Sequence, residues 1–347
     1  MTPAQVPRIN KESAKLLVIN SASRTFKDAH VVNLPAILQP GDLFVLNDAA
    51  TLPASLQGHS LSGEFIEIRL AQDLGNGLWS AVLFGRGDWR TPTELRDPPT
   101  PLWPGSTIEI SNGFAAEIMQ VSLVSHRLVK LRFNRTGPAL WSALYAYGKP
   151  IQYSYQLDDL PLWSVQTTYA ARPWSFEMPS AGQPLSWTLL LALRRRGVKL
   201  ARLTHSAGLS SVGDEDLDLR LPFTERYDIP QETVDAVQQT RATGSRVIAV
   251  GTTAVRALEG SVRNNGGVLR AGAGETDLIL DRSFRLEIVD CILTGIHDPA
   301  QSHFRLLRAF VDETTLRRAW RHATEAGYFC HEFGDLCLIS GETAAQP

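Results

Sequence analysis

The chain has 347 residues, of which 44% are apolar and 20% are charged. It is too long for one typical domain, and its composition excludes an intrinsically disordered protein, so we expect two folded domains. Its 34 Lys and Arg residues against 36 Asp and Glu residues give a formal net charge of -2. This balance excludes a global basic excess, so any contact with RNA must use a local basic patch.

Cysteine usage and hydropathy indicate the compartment. Cys291, Cys330 and Cys337 are odd in number, lie in apolar surroundings and lack metal-ligand spacing, which predicts buried thiols in a reducing compartment. The sequence has no apolar run of about 18 residues that would predict a membrane helix, and its N-terminus lacks the pattern of a secretory signal. We expect a cytoplasmic protein that does not enter a membrane.

The first 150 residues contain two kinds of β pattern. Apolar runs at 15–19 and 43–46 predict short interior strands, the second one after a Pro-Gly turn. From 57 to 150, polar and apolar residues alternate in short stretches such as 65–70, separated by Gly, Asn and Pro, with almost no helical periodicity. This pattern predicts a small antiparallel β-barrel or sandwich.

After Pro150, helices alternate with strands, which is typical of a mostly parallel sheet. The predicted elements are a helix at 185–196, a strand at 198–203, a helix at 230–243 with Pro230 as its first residue, a strand at 247–250, a helix at 253–263, a strand at 286–293, helices at 302–310 and 313–325, and a strand at 336–339. We predict an α/β domain of residues 1–56 and 151–347, with flanking helices in a Rossmann-like or partial-barrel arrangement. Residues 57–150 would form an inserted antiparallel β-barrel domain.

The sharpest local motif is the strand-to-helix turn Gly251-Thr252-Thr253, followed on the helix by Arg256 and Glu259. Ligands of open α/β sheets bind where strands end at their carboxyl side, and the next helix offers free N–H groups and a positive dipole end. The turn therefore suits a carboxylate, a phosphate or a ribose hydroxyl. In the alternative interpretation, Thr252 only caps the helix and Arg256 pairs with Glu259 on its surface.

Two further segments contain glycine near predicted strands. Gly182 and the small residues at 204–211 would let a ligand approach the backbone closely. His205 in the second segment is a candidate general acid or base, because the ordinary pKa of histidine lies near neutrality. Alternatively, His205 is a hydrogen-bonded structural residue.

Thr294 and His297 follow another apolar stretch, which places them at the same edge of the predicted sheet. Asp298 could raise the basicity of His297, or the segment could be a simple turn. We expect the loops at the carboxyl edge of one sheet to bring Gly251, His205 and His297 around a shared nucleoside site.

Basic residues are clustered in two helical regions. They could form faces for a phosphate backbone, but positive residues in the last turn of a helix also favour its dipole without any partner. The residues are Arg194, Arg195, Arg196, Lys199 and Arg202 in the first region, and Arg305, Arg308, Arg317, Arg318 and Arg321 in the second.

Taken together, these motifs resemble those of the S-adenosylmethionine:tRNA ribosyltransferase-isomerases of queuosine biosynthesis. The resemblance runs from about residue 15 to 339, nearly the whole chain. So many blocks in the same order indicate a common fold and ancestry. The blocks are Pro-Gly-Asp-Leu at 40–43, Asn47-Asp48, Pro53-Ala54, 166–170, Glu225-Arg226-Tyr227, 247–259, Thr276-Asp277, 293–299, Gly327-Tyr328 and Gly334-Asp335.

The resemblance implies an activity. Members transfer the ribosyl part of S-adenosylmethionine to the aminomethyl group of a 7-deazaguanine base in tRNA and rearrange it to an epoxy-cyclopentanediol, releasing adenine and methionine. S-adenosylmethionine would be a substrate, and the partners would be the tRNA anticodon region and a small nucleoside. The expected acid and base candidates are His205, Glu225 and His297. The expected cofactor-binding residues are Gly182, Gly251, Thr252, Thr253, Arg256 and Thr294.

The chain departs from the family at several presumed site positions. Each lost polar or charged group removes interactions typically worth about 1.5 to 3 kcal/mol. Ala49, Ala50 and Ser55 stand where the family reads Thr-Arg and a second Arg, Pro184 and Phe223 each replace a His, Gly295 replaces Asn, and Ala300 replaces Lys.

Three hypotheses follow. The chain is a working ribosyltransferase-isomerase with altered site residues, or a related enzyme that uses S-adenosylmethionine or another nucleoside with a different acceptor, or a catalytically silent protein that binds RNA or a nucleoside. We expect Thr252→Ala or Arg256→Ala to weaken ligand binding and to leave thermal stability nearly unchanged.

Overall fold

The computed structural model describes residues 1–299 and 302–341. Its strands, numbered in chain order, are β1 Thr2–Pro3, β2 Lys15–Asn20, β3 Thr25–His30, β4 Leu43–Asn47, β5 Ala49–Thr51, β6 Ser55–Ser60, β7 Phe65–Asp73, β8 Leu78–Phe84, β9 Thr107–Ser111, β10 Phe114–Val121, β11 Leu128–Phe133, β12 Arg172–Ser175, β13 Lys199–His205, β14 Glu225–Ile229, β15 Val247–Val250, β16 Gly272–Thr276, β17 Cys291–Gly295, β18 Phe329–Cys330 and β19 Leu336–Ser340. Its α-helices are α1 Leu34–Ile37, α2 Gly137–Tyr147, α3 Trp187–Arg195, α4 Glu215–Asp218, α5 Gln231–Ala242, α6 Gly251–Asn264, α7 Ser302–Leu307 and α8 Glu313–Glu325.

A nine-stranded sheet forms the main layer, in the order β16-β14-β13-β4-β15-β17-β19-β2-β3. Its centre, β13-β4-β15-β17, is parallel, as is the β19-β2 pair, whereas the other four neighbouring pairs are antiparallel. The predicted α/β class with flanking helices is confirmed, and the sheet is mixed. Every residue of β4 and β15 is buried, because helices cover both faces of the central strands.

Alternate residues of the central strands supply two separate cores. Leu43 and Val45 of β4 pack on one face with apolar residues of α5, α6 and α8. Phe44 and Leu46 point to the other face and pack with α3. Successive side chains of a strand point to opposite faces, so the continuous apolar runs of β4 and β15 serve both layers.

The strands β6 to β11 close into an antiparallel barrel, in the order β10-β11-β8-β7-β6-β9. The predicted barrel is therefore confirmed over a sandwich, whereas the domain boundaries at 57 and 150 stay a prediction. The expectation of almost no helical periodicity up to residue 150 is wrong, because α2 lies there. Its Leu140, Ala143 and Leu144 form a short apolar stripe that packs on the barrel core.

The remaining predicted elements are found with small shifts at their ends, with two differences. The strand predicted at 286–293 is confined to Cys291–Gly295, because the N–H groups of residues 287–289 instead donate to the Glu259 carboxylate. Pro230 is the N-cap and not the first residue of α5.

Two further expectations concerned the burial of the cysteines and the absence of a membrane-spanning helix. Cys291, Cys330 and Cys337 are buried free thiols, which confirms the predicted burial. None of the helices within residues 1–299 and 302–341 has the length and apolar character needed to cross a membrane.

Candidate functional site

A cleft of about 570 Å³ opens where β13, β15 and β17 end at their carboxyl side. Seven of the nine predicted site residues line it: Glu225, Gly251, Thr252, Thr253, Arg256, Thr294 and His297. His205 and Gly182 do not line it. The expected convergence of loops at one edge of the sheet is therefore observed, with His205 lying behind the wall of the cleft.

The Gly251 turn presents the first turn of α6 to the cleft. Gly251 has φ +86°, a conformation that favours glycine, and it directly follows the extended Val250. No side chain caps the helix, so the alternative in which Thr252 serves as the cap is not observed. The hydroxyl of Thr253 accepts a hydrogen bond of 3.1 Å from Asn47 Nδ2, which fixes the turn to the end of β4.

Arg256 on α6 forms a buried ion pair with Glu225 on β14. Arg256 Nε also donates to the carbonyl of Leu278 at 3.0 Å, and Glu225 Oε1 accepts from the N–H of Gly208 at 2.8 Å. Burial raises the pKa of Glu225, while Arg256 and the Gly208 N–H oppose this rise. The alternative in which Arg256 pairs with Glu259 on the helix surface is wrong, because Glu259 is buried and bonded to the backbone at 287–289.

His205 is fully buried behind Glu225. Asn47 forms two hydrogen bonds with the backbone of His205. Its Oδ1 accepts from the His205 N–H at 2.9 Å, and its Nδ2 donates to the His205 carbonyl at 2.9 Å. The His205 Nε2 lies 3.3 Å from Glu225 Oε2, but neither ring nitrogen forms an aligned hydrogen bond within the described residues. Burial, followed by the charge of Arg256, lowers the pKa of His205 well below its usual range, so the ring is neutral.

His297 also lines the cleft, next to a second histidine. Its Nε2 is 3.0 Å from the hydroxyl of Thr294, and its ring stacks on His303 with a centroid distance of 4.9 Å. Burial lowers the pKa of His297 well below its usual range, and His303 and His331 lower it further. Burial therefore outweighs any rise in basicity that Asp298 could give, and the net shift of the His297 pKa is downward.

Gly182 is explained by packing against Tyr169. A Cβ at position 182 would lie 1.9 Å from the Tyr169 hydroxyl oxygen, which no side chain could occupy without a shift. The neighbouring Ala181 lines the cleft instead, and it would lie 3.5 Å from a Cβ at Gly251. The absence of a side chain at Gly182 thus allows Tyr169 to approach closely. Gly182 itself does not line the cleft, although the preceding residue does.

One wall of the cleft was not predicted from the sequence. It consists of Glu177, Glu332, Tyr153 and Tyr155. The hydroxyl of Tyr153 donates to Glu177, and that of Tyr155 donates to Glu332. We refer to these four residues as the carboxylate wall. An acidic residue within the apolar run at 174–178 was the one available sequence signal, and it did not indicate which residues would face Glu177.

Comparison with known proteins identifies the family. The family model described as queuosine biosynthesis protein matches residues 2–339. The chain belongs to this queuosine biosynthesis protein family. It is 34% identical over 340 residues to the S-adenosylmethionine:tRNA ribosyltransferase-isomerase of Rhodospirillum rubrum, covering 96% of this chain and 93% of that protein. The protein of the same name from Magnetococcus marinus is 35% identical over 342 residues, covering 97% of this chain and 90% of that protein.

A solved structure supports the same fold for this queuosine biosynthesis family member. The crystal structure of the S-adenosylmethionine tRNA ribosyltransferase of Thermotoga maritima matches with a TM-score of 0.52 and 23% identity. The match covers 97% of this chain and 95% of that chain. At this identity the likeness concerns the fold alone.

Most of the residues that replace family residues in this chain do not themselves line the cleft. Of those within the described residues, Gly295 lines it, whereas Ala49, Ala50, Ser55, Pro184 and Phe223 do not. A Cβ at Gly295 would be 3.7 Å from His297 Cε1, so this position has room for a side chain. Phe223 packs against the barrel core, and Ala300 lies outside the described residues.

The basic residues fall into different environments. Arg305 lines the cleft, whereas Arg308 and Arg317 pair with Glu313 at 3.3 Å and 2.8 Å. Lys199 donates to Gln239 at 3.2 Å. Local partners therefore account for several of these charges, and Arg305 is the member of the second cluster that faces the cleft.

Proposed function

We propose that this chain is an S-adenosylmethionine:tRNA ribosyltransferase-isomerase. It would transfer the ribosyl part of S-adenosylmethionine to the aminomethyl group of a 7-deazaguanine base in the anticodon region of tRNA and isomerise it, with release of adenine and methionine. Family membership over nearly the whole chain supports this activity. The observation that carries the proposal is the convergence of seven predicted site residues on one cleft.

The first turn of α6 is the proposed receptor for a polar part of the substrate. Its N–H groups have no side-chain cap, and a helix N-terminus attracts anions and hydroxyl oxygens through free donors and the helix dipole. Gly251, Thr252 and Thr253 all line the cleft at this point. A ribose hydroxyl or the methionine carboxylate of the substrate would bind here.

Glu225 and His297 are the proposed proton-handling residues, because both line the cleft. The reaction requires a base near the carbon that bears the sulfonium group and an acid that protonates departing adenine. Glu225 suits the base because Arg256 and the Gly208 N–H hold its two oxygens in place. His297 is the second candidate: its Nε2 lies 3.0 Å from the Thr294 hydroxyl, and because burial lowers its pKa, its neutral ring would accept a proton or relay one through that hydroxyl. His205 lies behind Glu225, with its Nε2 3.3 Å from Glu225 Oε2, and does not line the cleft, so it is not assigned a direct proton transfer.

An assay of adenine release tests the proposal. The purified protein is incubated with S-adenosylmethionine and tRNA that carries the 7-aminomethyl-7-deazaguanine precursor, and both adenine and the modified nucleoside are quantified. In the wild type we expect one adenine to be released for each modified nucleoside formed in the tRNA. Glu225→Gln and His297→Asn should reduce the rate by at least about 100-fold, and the control His59→Asn, on an exposed barrel position, should not.

Two other outcomes would favour the other hypotheses. Adenine release or S-adenosylmethionine binding without tRNA modification would indicate a related enzyme with a different acceptor. RNA binding without either activity would indicate a silent paralogue.

A further inference from the structure

Two carboxylates of the carboxylate wall lack a counter-cation. Within the described residues, neither Glu177 nor Glu332 lies within 4.0 Å of a Lys, Arg or His nitrogen, whereas Glu225 in the same cleft is paired with Arg256. Both Glu177 and Glu332 are only partly exposed. Removing an unpaired carboxylate from bulk water is unfavourable, so this arrangement needs another source of stabilisation.

The hydrogen bonds of the wall leave one oxygen directed at no protein donor. Glu177 Oε1 accepts from the Tyr153 hydroxyl and from the Ser210 N–H at 3.0 Å. Within the part of the chain that the structure describes, no N–H or O–H group donates to Glu177 Oε2 in hydrogen-bond geometry, although the Ser210 hydroxyl lies near enough to the carboxylate to lower its pKa. Because Tyr153 and Ser210 fix the carboxylate, its free oxygen is held in one orientation in the cleft wall.

Aromatic rings complete this wall. The ring of Tyr155 stacks on His331 at 4.1 Å and faces Tyr153 at 6.0 Å, and all three rings line the cleft. Burial lowers the pKa of His331, so this neighbour is neutral near pH 7. Aromatic faces beside carboxylates are the surroundings that bind alkylated cations, through cation–π attraction and charge pairing.

We propose that Glu177 and Glu332, with the rings of Tyr153 and Tyr155, form a subsite that binds the cationic part of the ligand, an alkyl sulfonium or ammonium group. The inference rests on the proposed function, since S-adenosylmethionine carries both groups. It assigns the carboxylate wall to the methionine end of that substrate. The ligand supplies the positive charge that the protein leaves out of this wall.

The state of the carboxyls agrees with this assignment. Burial raises the pKa of Glu177 to about 7 and also raises that of Glu332, because desolvation outweighs the hydrogen bonds from Tyr153, Ser210 and Tyr155. A bound cation favours the ionised carboxylates. Binding of a cationic ligand should therefore strengthen as the pH rises through about 7, while binding of a neutral analogue should not.

Three nucleosides separate the two cationic groups. S-adenosylmethionine has a sulfonium and an ammonium, S-adenosylhomocysteine has only the ammonium, and 5′-methylthioadenosine has neither. Their affinities are measured by calorimetric titration at about pH 8, above the pKa of about 7 of Glu177. We expect the wild type to bind S-adenosylmethionine at least about tenfold more tightly than 5′-methylthioadenosine. If the affinity for S-adenosylhomocysteine is close to that for S-adenosylmethionine, the ammonium group accounts for the preference. If it is close to that for 5′-methylthioadenosine, the sulfonium group accounts for it.

Isosteric variants test the carboxylates themselves. Glu177→Gln and Glu332→Gln should lose most of this preference while changing the affinity for 5′-methylthioadenosine by less than about twofold. Glu94→Gln is the matched control, because Glu94 lines the same cleft but is exposed; it should retain the preference. Thermal unfolding checks that the variants are folded, and the pH dependence of the wild-type preference tests the same assignment without a substitution.

The outcomes distinguish this inference from the proposed function. If the wild type modifies tRNA but both Gln variants keep the full preference for S-adenosylmethionine, the subsite is wrong and the enzyme activity stands. If the preference is lost in the variants but no adenine is ever released, the subsite stands and the enzyme activity is wrong. If the wild type binds none of the three nucleosides, both proposals are wrong.

Discussion

Arg256 on α6 and Glu225 on β14 form an ion pair across 31 residues of chain, and both side chains are buried in the wall of the cleft. The pair joins the helix that follows the Gly251 turn to β14, the second strand from one edge of the sheet. It also holds Glu225 at the cleft surface, with His205 behind it. One contact thus fixes two of the residues to which we assign substrate binding and proton transfer.

This pairing revises the expected effect of removing Arg256. We now expect Arg256→Met to destabilise the protein by about 3 to 5 kcal/mol, because the substitution leaves the Glu225 carboxylate buried without its cation. Urea unfolding measures the change. The double variant with Glu225→Gln should lose less than the sum of the two single variants. Additive losses would contradict a direct pairing.

Thr252 and Thr253 should differ in their contribution to stability. The Thr253 hydroxyl accepts a hydrogen bond from Asn47, so Thr253→Ala should cost about 1 kcal/mol. The Thr252 hydroxyl has no hydrogen bond within the described residues, so Thr252→Ala should change stability by less than about 0.5 kcal/mol and weaken S-adenosylmethionine binding. Thermal unfolding and calorimetric titration of the two variants make the comparison. A large stability loss with unchanged binding in Thr252→Ala would contradict a role in the site.

Gly182 should be required for packing against Tyr169. We expect Gly182→Ala to destabilise the protein by about 1 to 3 kcal/mol, because the new methyl group overlaps the Tyr169 hydroxyl. Adding Tyr169→Phe removes the overlapping oxygen and should restore part of the loss. If the double variant is no more stable than Gly182→Ala, the overlap is not the cause.

Glu177 should make stability fall with rising pH. Its native pKa is raised to about 7 from an ordinary value of 4.5, so its contribution is fully present below about pH 4.5 and is lost as the pH rises through about 7. The slope from this group is at most about 1.4 kcal/mol per pH unit. The groups around it are Tyr153, Glu332, Glu225 and Arg69.

The variant Glu177→Gln has no proton to release at this position. Its stability relative to the wild type should therefore increase between about pH 4.5 and 7, as measured by urea unfolding at a series of pH values. Parallel stability profiles of the two proteins would show that Glu177 does not titrate in this range. The control Glu94→Gln, at an exposed position, should follow the wild type.

Short-range sequence patterns determined the strands and helices and most of the residues that line one side of the cleft. The apolar runs of β4 and β15, the Gly251 turn and the alternation in the barrel are short-range patterns, because strand and helix periods need only a few neighbouring residues. The carboxyl edge of a parallel sheet then brings consecutive loops together. For this reason the sequence by itself predicts that Thr252, Thr294 and His297 lie near one another.

Tertiary structure decided the partners of the charged side chains. Arg256 has Glu259 as its neighbour along the helix, yet it pairs with Glu225, because Glu259 points into the protein and satisfies the backbone at 287–289. Glu177 and Glu332 lie 155 positions apart in sequence and share one wall. No period or spacing relates such residues. Their burial, pKa shifts and contacts exist only once distant segments pack together and exclude water.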